Sequence, residues 1–142
     1  HDLQDKLVLG NLDAKRDWGH AKDYVEGMWL VLQQEVPEDF VLATGETYSV
    51  RWFVEKVFSK LDISIEWRGQ GVNEIGIDAN SGKTLIEVSK DYFRPTEVDL
   101  LLGDATKART KLGWKPKYDI NSLIGEMIDH DESEILNRLS PR

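Results

Sequence analysis

Two arginines in this sequence stand in surroundings suited to holding an anion. Arg16 lies in KRDWGHAKDY, where Trp18, Gly19 and His20 lead into a helical apolar rhythm. Arg94 lies in DYFRPTEVD, flanked by Tyr92, Phe93 and Pro95. A guanidinium presents a fixed fork of donors and can clamp a phosphate or carboxylate in bidentate fashion. A helix start close by adds partial positive charge. Two such arginines on stiffened loops suit a diphosphate, which has two negative centres. The residues admit a second reading as well, with Arg16 on the surface or salt-bridged to Asp17 or Asp23. Spacing alone leaves both open.

Other chemistries find little support. The chain has no cysteine, so thiolate and disulfide chemistry are excluded. Its three histidines, at 1, 20 and 130, do not share metal-ligand spacing. No Ser-His-Asp arrangement can be read from the order of residues. SGKT at 81–84 matches the end of a phosphate-binding P-loop, but the motif requires a glycine at 77 and Ile77 stands there. GQGVNEIG at 69–76 matches part of a dinucleotide fingerprint, but its third glycine position holds Glu74. Both stretches read as loops or hairpin tips. DHDESE at 129–134 reads as the solvated end of the last helix.

The chain's 142 residues can bury the core of one ordinary domain, with 40% hydrophobic and 31% charged residues. A net charge of −8 argues against non-specific binding to nucleic acid or anionic membrane. No apolar run approaches the roughly 18 residues that cross a bilayer, and the first residues lack a basic-then-apolar leader pattern. A cytoplasmic setting is the expectation.

Several elements must position the arginines. Leu7 to Leu9 reads as a strand closed by Gly10 and Asn11. A helix is expected from about His20 to Gln34, its apolar face (Ala21, Tyr24, Val25, Met28, Trp29, Leu32) buried, before Pro37 breaks the chain. Asp39 to Ala43 reads as a buried strand. Val50, Phe53, Val54, Val57, Phe58 and Leu61 define the clearest helix, with Ser49 as its N-cap. ISIEW at 63–67 alternates as a half-exposed strand would, residues 69–83 read as a long loop or hairpin, and KTLIEV as a further strand. Asp104 can cap a short helix that stops at Gly113. A last helix spans about Asn121 to Asp131, with Leu123, Ile124, Met127 and Ile128 inward. The sum is an α+β fold, a small mixed sheet with several helices, read as a single domain over 1–142.

LGNLDAKRDWGHAKDYVEGMW, ATGETYSVRWFVE, YFRPTEVDLLLGDATKARTKLGWKP and INSLIGEMI resemble, in order, the C-terminal part of the GDP-mannose 4,6-dehydratases. These belong to the extended short-chain dehydrogenase/reductases. The resemblance covers about Leu7 to Asp131. It implies a substrate-binding half that accompanies an NADP-binding Rossmann domain. The parent reaction it implies is a lyase conversion of GDP-mannose to GDP-4-keto-6-deoxymannose, on the way to GDP-fucose, in enzymes that form homodimers or homotetramers. It places Arg16 and Arg94 on the diphosphate and Glu97 near the ribose or base. Leu9, Gly10 and Asn11 become the loop over the guanine, and Tyr48, Ser49 and Val50 a loop beside the nucleotide.

The Tyr-x-x-x-Lys pair of the family is absent, since Met28, Trp52, Thr96 and Ser122 follow the four tyrosines at that spacing. The Thr and Glu pair used in dehydration and the glycine-rich cofactor loop are absent too. The resemblance therefore implies a fragment or part of a longer protein, with NADP bound elsewhere and no activity from this chain alone. The alternatives are another nucleotide-sugar epimerase or dehydratase half, or a non-catalytic nucleotide-binding or interaction module.

Overall fold

Residues 4–94 and 100–139 are described by a computed structural model. They fall into two compact units, one formed by 1–16 and 48–100, the other by 17–47 and 101–142.

The first unit holds the paired strands found among the described residues. Strands β1 (Leu7–Leu9), β4 (Ile65–Arg68), β5 (Ile75–Asp78) and β6 (Thr84–Val88) form a mixed sheet in the order β1-β6-β5-β4. β1 runs parallel to β6, with Leu7 opposite Ile86 and Leu9 opposite Val88. β4, β5 and β6 pair antiparallel through two hairpins. Ile86 and Ile77 are buried, and Gly76 gives them room: a Cβ there would sit 2.8 Å from Ile86 Cδ1. Two further short strands, β2 (Lys15–Arg16) and β3 (Tyr48–Ser49), pair antiparallel. Helix α2 (Val50–Lys60) follows directly and buries Val54.

That unit follows the sequence in α2 and in strands β1, β4 and β6, while β2, β3 and β5 are not foreseen from it. Ser49 caps α2, its Oγ accepting from the Trp52 N–H at 3.1 Å. GQGV begins the connection between β4 and β5, and NSGK forms the turn between β5 and β6, so both glycine-rich motifs are hairpin tips. The longest of the three is β5. IGID alternates Ile75 and Ile77 with Gly76 and Asp78, but it is only four residues long and carries two strand-poor residues, so the partners on both sides decide its strand character.

The second unit is helical and corrects three expectations. Helix α1 (Ala21–Leu32) forms, with the His20 side chain as its N-cap, but its buried residues are Asp23 and Gly27. Val25, Met28, Trp29 and Leu32, expected inside, are 64%, 59%, 59% and 80% exposed. Packing explains this. Gly27 lies so close to the neighbouring chain that a Cβ would meet Leu42 Cδ1 at 2.7 Å and Trp114 Nε1 at 2.9 Å. The helix approaches through its smallest residue, with Tyr24 and Leu30 beside it, and turns Val25, Met28, Trp29 and Leu32 outward.

The second correction is Asp39–Ala43, which forms no strand among the described residues; Ala43 is buried and Val41 is 51% exposed. The third is the last helix. It runs as α3 (Ile120–Leu139) straight through DHDESE, burying Ile120 and Ile124 while Met127 is 48% exposed.

Buried Ala43, Ala105, Ala108 and Trp114 form the core of this unit, packed by Tyr24, Leu30, Phe40, Leu42 and Leu112. Asp104 accepts from the Thr106 N–H at 2.9 Å, as expected of a cap. A wide π-helical stretch, Ala108–Leu112, then ends at Gly113 in the left-handed region (φ 66°).

Candidate functional site

Eight of the nine residues singled out from the sequence lie among the described residues of the first unit; Glu97 lies outside the described residues. Leu9 ends β1, and its carbonyl accepts from the Ser89 N–H at 2.8 Å. Gly10 follows, and a Cβ there would overlap the Tyr92 carbonyl oxygen. Glycine is therefore required by close backbone approach. Asn11 Oδ1 accepts from the Asp13 N–H at 3.0 Å, closing a tight turn. Arg16 lies in β2 opposite Tyr48 in β3, and its Nη1 donates to the Lys15 carbonyl at 2.8 Å. Tyr48 stacks on Trp52 with ring centroids 4.3 Å apart. Val50 opens α2 and donates its N–H to the Ala14 carbonyl at 3.1 Å.

Arg94 is exposed, beyond a turn in which the Phe93 N–H donates to the Ser89 carbonyl at 2.9 Å. Leu100, beyond Arg94, bridges to Lys15. The segment bearing Arg94 is thus anchored at Ser89 to Leu9 and at Leu100 to Lys15. The 9–16 stretch lies along both anchors and contacts β3 and α2 as well. Two chain segments distant in sequence, the β3–α2 junction and the stretch from Ser89 to Leu100, are tied to it.

Two acids considered as partners of Arg16 have other work. The Asp17 carboxylate accepts from Thr44 N–H at 3.1 Å, Thr44 Oγ1 at 2.6 Å and Gly45 N–H at 2.9 Å. Asp23 is buried and accepts from the Tyr118 N–H at 3.2 Å, while its carbonyl accepts from Trp114 Nε1–H at 2.7 Å. His20 Nδ1 accepts from the Lys22 N–H, which leaves Nε2–H to donate to Glu126 Oε2 at 3.0 Å. The Glu126 carboxyl is held below its ordinary value by its hydrogen bond from Lys22 first and from His20 second.

Residues absent from the sequence-based set bind this site together. Arg51 donates from Nη1 and Nη2 to Glu74 Oε1 and Oε2 at 2.6 and 3.0 Å, and from Nε and Nη2 to Asp13 Oδ1 at 3.2 and 3.0 Å. The Glu74 hydrogen bonds raise its pKa, burial opposes them, and Asp13 adds to the rise. Only its i,i+4 spacing to Glu55 was legible in sequence, and that pairs it with the wrong acid; Glu55 accepts from Trp67 Nε1–H at 2.7 Å.

The residues present do not fit a nicotinamide dinucleotide. Such a group needs a glycine-rich turn from a strand into a helix, whereas the glycine-rich turns here join antiparallel strands and the strand-to-helix junction β3–α2 reads TYSVR. Among the described residues, no three His, Asp or Glu side chains converge as a metal site, and no helix is long and apolar enough to cross a membrane.

Comparison with known proteins gives the family and the fold. The family model for GDP-mannose 4,6 dehydratase matches residues 1–127. The GDP-mannose 4,6-dehydratase of Sinorhizobium fredii (strain HH103) is 58% identical over 130 residues, covering 92% of this chain and 37% of the relative. The human GDP-mannose 4,6 dehydratase is 58% identical over 123 residues, 87% of this chain and 33% of the relative. Among solved structures, RMD from Pseudomonas aeruginosa complexed with NADPH aligns with a TM-score of 0.68 at 17% identity, over 92% of this chain and 37% of that one. The dTDP-glucose 4,6-dehydratase from Bacillus anthracis in complex with NAD aligns at 0.67 and 18% identity, over 90% and 34%. At such identities the structural likeness speaks to fold. The chain spans about a third of the length of the curated relatives it matches.

Proposed function

The chain belongs to the GDP-mannose 4,6 dehydratase family, and we propose that it is the substrate-binding portion of such an enzyme, holding the nucleotide end of GDP-mannose. The observation that carries this reading is the family match over residues 1–127, a stretch that contains every residue assigned to the nucleotide. The tethering of segments 48–50 and 89–100 to the 9–16 stretch supports it. Arg16 and Arg94 take the diphosphate, and Leu9 to Asn11 with Tyr48 to Val50 take the base and ribose. Glu97 accepts from ribose hydroxyls or guanine N–H groups.

The overall conversion turns the C4 alcohol of the mannose into a ketone and the C6 hydroxymethyl into a methyl, with loss of one water. Its nicotinamide cofactor, NADP in the proposal, supplies redox chemistry outside this chain, as do the proton-transferring residues. This chain alone is therefore catalytically inactive. Its part is binding and orientation, since remote contacts to a nucleotide can contribute several kcal/mol toward placing the reacting sugar.

The bare face of α1 bears on the alternatives. A stand-alone binding module needs its apolar surface covered, whereas Met28, Val31, Leu32, Phe40 and Leu42 line an open groove of about 360 Å³. We assign that groove to the remainder of the longer polypeptide.

Calorimetric titration of the complete polypeptide with GDP, UDP and GDP-mannose tests the reading. GDP is expected to bind more tightly than UDP, and Arg16→Ala to weaken GDP by about 1.5–3 kcal/mol, the cost of a lost charged hydrogen bond. Equal affinity for GDP and UDP, or an unaltered Arg16→Ala variant, refutes it.

A further inference from the structure

We propose that Arg51 is a positioning residue for the nucleotide, a clamp that holds the loop Asn11–Ala14 against the start of α2 and the β4–β5 hairpin. The inference rests on the nucleotide-binding reading above.

Arg51 is the second residue of α2, and its own backbone already touches the loop, with its N–H donating to the Leu12 carbonyl at 2.8 Å beside the Val50 to Ala14 bond. Its side chain then reaches in two directions. One end is a two-point contact with Glu74, whose side chain is only 12% exposed; the other reaches Asp13, 77% exposed. The guanidinium also lies 4.8 Å from the centre of the Trp67 ring in β4. The clamp is therefore asymmetric. Its buried end is fixed just before β5, and its exposed end adds a side-chain tie to a loop whose Leu12 and Ala14 carbonyls already accept from the start of α2.

What Asp13 holds is the loop that carries the assigned residues. Its backbone N–H closes the turn on Asn11 Oδ1. Tyr48, Ser49 and Val50 lie immediately before Arg51 on the other side. One side chain thus reinforces the backbone bonds that join two walls assigned to the nucleotide, without being assigned to it. A lysine cannot replace it, because a single ammonium cannot present a planar fork to Glu74 and still reach Asp13.

The test uses the complete polypeptide, with GDP dissociation constants from calorimetry, melting temperatures, and KM and kcat for GDP-mannose. Asp13→Asn removes the loop charge while keeping the backbone turn. It is expected to raise the GDP dissociation constant about threefold to fivefold, as an exposed pair does at most, with the melting temperature unchanged. Arg51→Lys is expected to raise it about tenfold, in the range of a lost charged hydrogen bond, with KM rising in parallel and kcat retained. Dissociation constants within twofold of wild type for both variants overturn the clamp while leaving the nucleotide reading intact. So does an Arg51→Lys variant that melts earlier but binds GDP normally. A wild type that does not bind GDP overturns the reading and the clamp together.

Discussion

Replacing Gly27 by alanine tests which face of α1 is buried, because the two possibilities differ in sign. Alanine is favoured over glycine inside a helix by about 0.8–1.0 kcal/mol. If the large apolar residues of α1 faced the core, as their spacing suggests, Gly27 would be near solvent and the substitution would stabilise by about that amount. The structure instead puts Leu42 Cδ1 and Trp114 Nε1 at 2.7 and 2.9 Å from the new Cβ. The leucine end can rotate. The indole has less room, being 2% exposed and tied by its N–H to the Asp23 carbonyl at 2.7 Å. Overpacking of this kind costs typically about 1–3 kcal/mol, and a strained indole hydrogen bond adds up to about 1 kcal/mol. After subtracting the propensity gain, a net destabilisation of about 1–2 kcal/mol is expected. For a chain of this size that lowers the melting temperature by about 3–6 °C, measured by circular dichroism on heating. A rise of about 3 °C would refute the packing and return the helix to the orientation read from its period.

Two further expectations concern caps and ion pairs. Ser49→Ala removes the acceptor of the Trp52 N–H and should cost about 0.5–2 kcal/mol; a denaturation midpoint equal to wild type contradicts that capping role. The Glu38 carboxyl accepts from Lys111 at 2.7 and 2.8 Å and pairs with Lys107 at 2.9 Å. The Lys111 hydrogen bond, then that from Lys107, lowers its pKa from 4.5 to about 2. A depressed carboxyl stabilises the fold above the unfolded value. That contribution is lost as pH falls from about 4.5 toward 2. Glu38→Gln should therefore melt below wild type at pH 6 and match it near pH 2, and a gap that persists in acid contradicts the pairing. Because the pair is exposed, salt should narrow the gap at pH 6.

The sequence was most legible where local chemistry decides structure. Ser49 before an uninterrupted apolar period announces α2, Asp104 and Gly113 bracket a helix, and a P-loop lacking its first glycine is a hairpin turn. It was least legible where a partner decides. β5 is a strand because β4 and β6 flank it, and Arg51 meets Glu74 and Asp13, which stand 23 and 38 positions away. Neither pairing leaves a local pattern. The candidate site shows the same division. Arg16 and Arg94 draw notice by residue type and by the aromatics, Gly and Pro around them, while Arg51, which ties Asp13 to Glu74, looks in sequence like an ordinary helix-surface charge.

The α1 helix shows why a correct period can give a wrong orientation. Apolar periodicity records which face is buried in the complete assembly, and it carries no information on whether the covering surface belongs to the same stretch of chain. Here the stripe of Val25, Met28, Trp29 and Leu32 is largely exposed, and the neighbouring segment 39–43 reads as a strand without acquiring a strand partner among the described residues. Full burial of a Val, Leu or Met side chain is worth about 1.5–3 kcal/mol. Four large residues that are already partly covered therefore still offer several kcal/mol to whatever docks on them. The matched stretch is only about a third of such a relative's length, so the remainder of such a polypeptide is a sufficient source of that surface. On this argument the two apparent errors have one origin. On the proposed reading, a helix face and a segment that the sequence marks as interior would become interior only against the rest of such a polypeptide, whereas the first unit pairs its strands and acids within the chain.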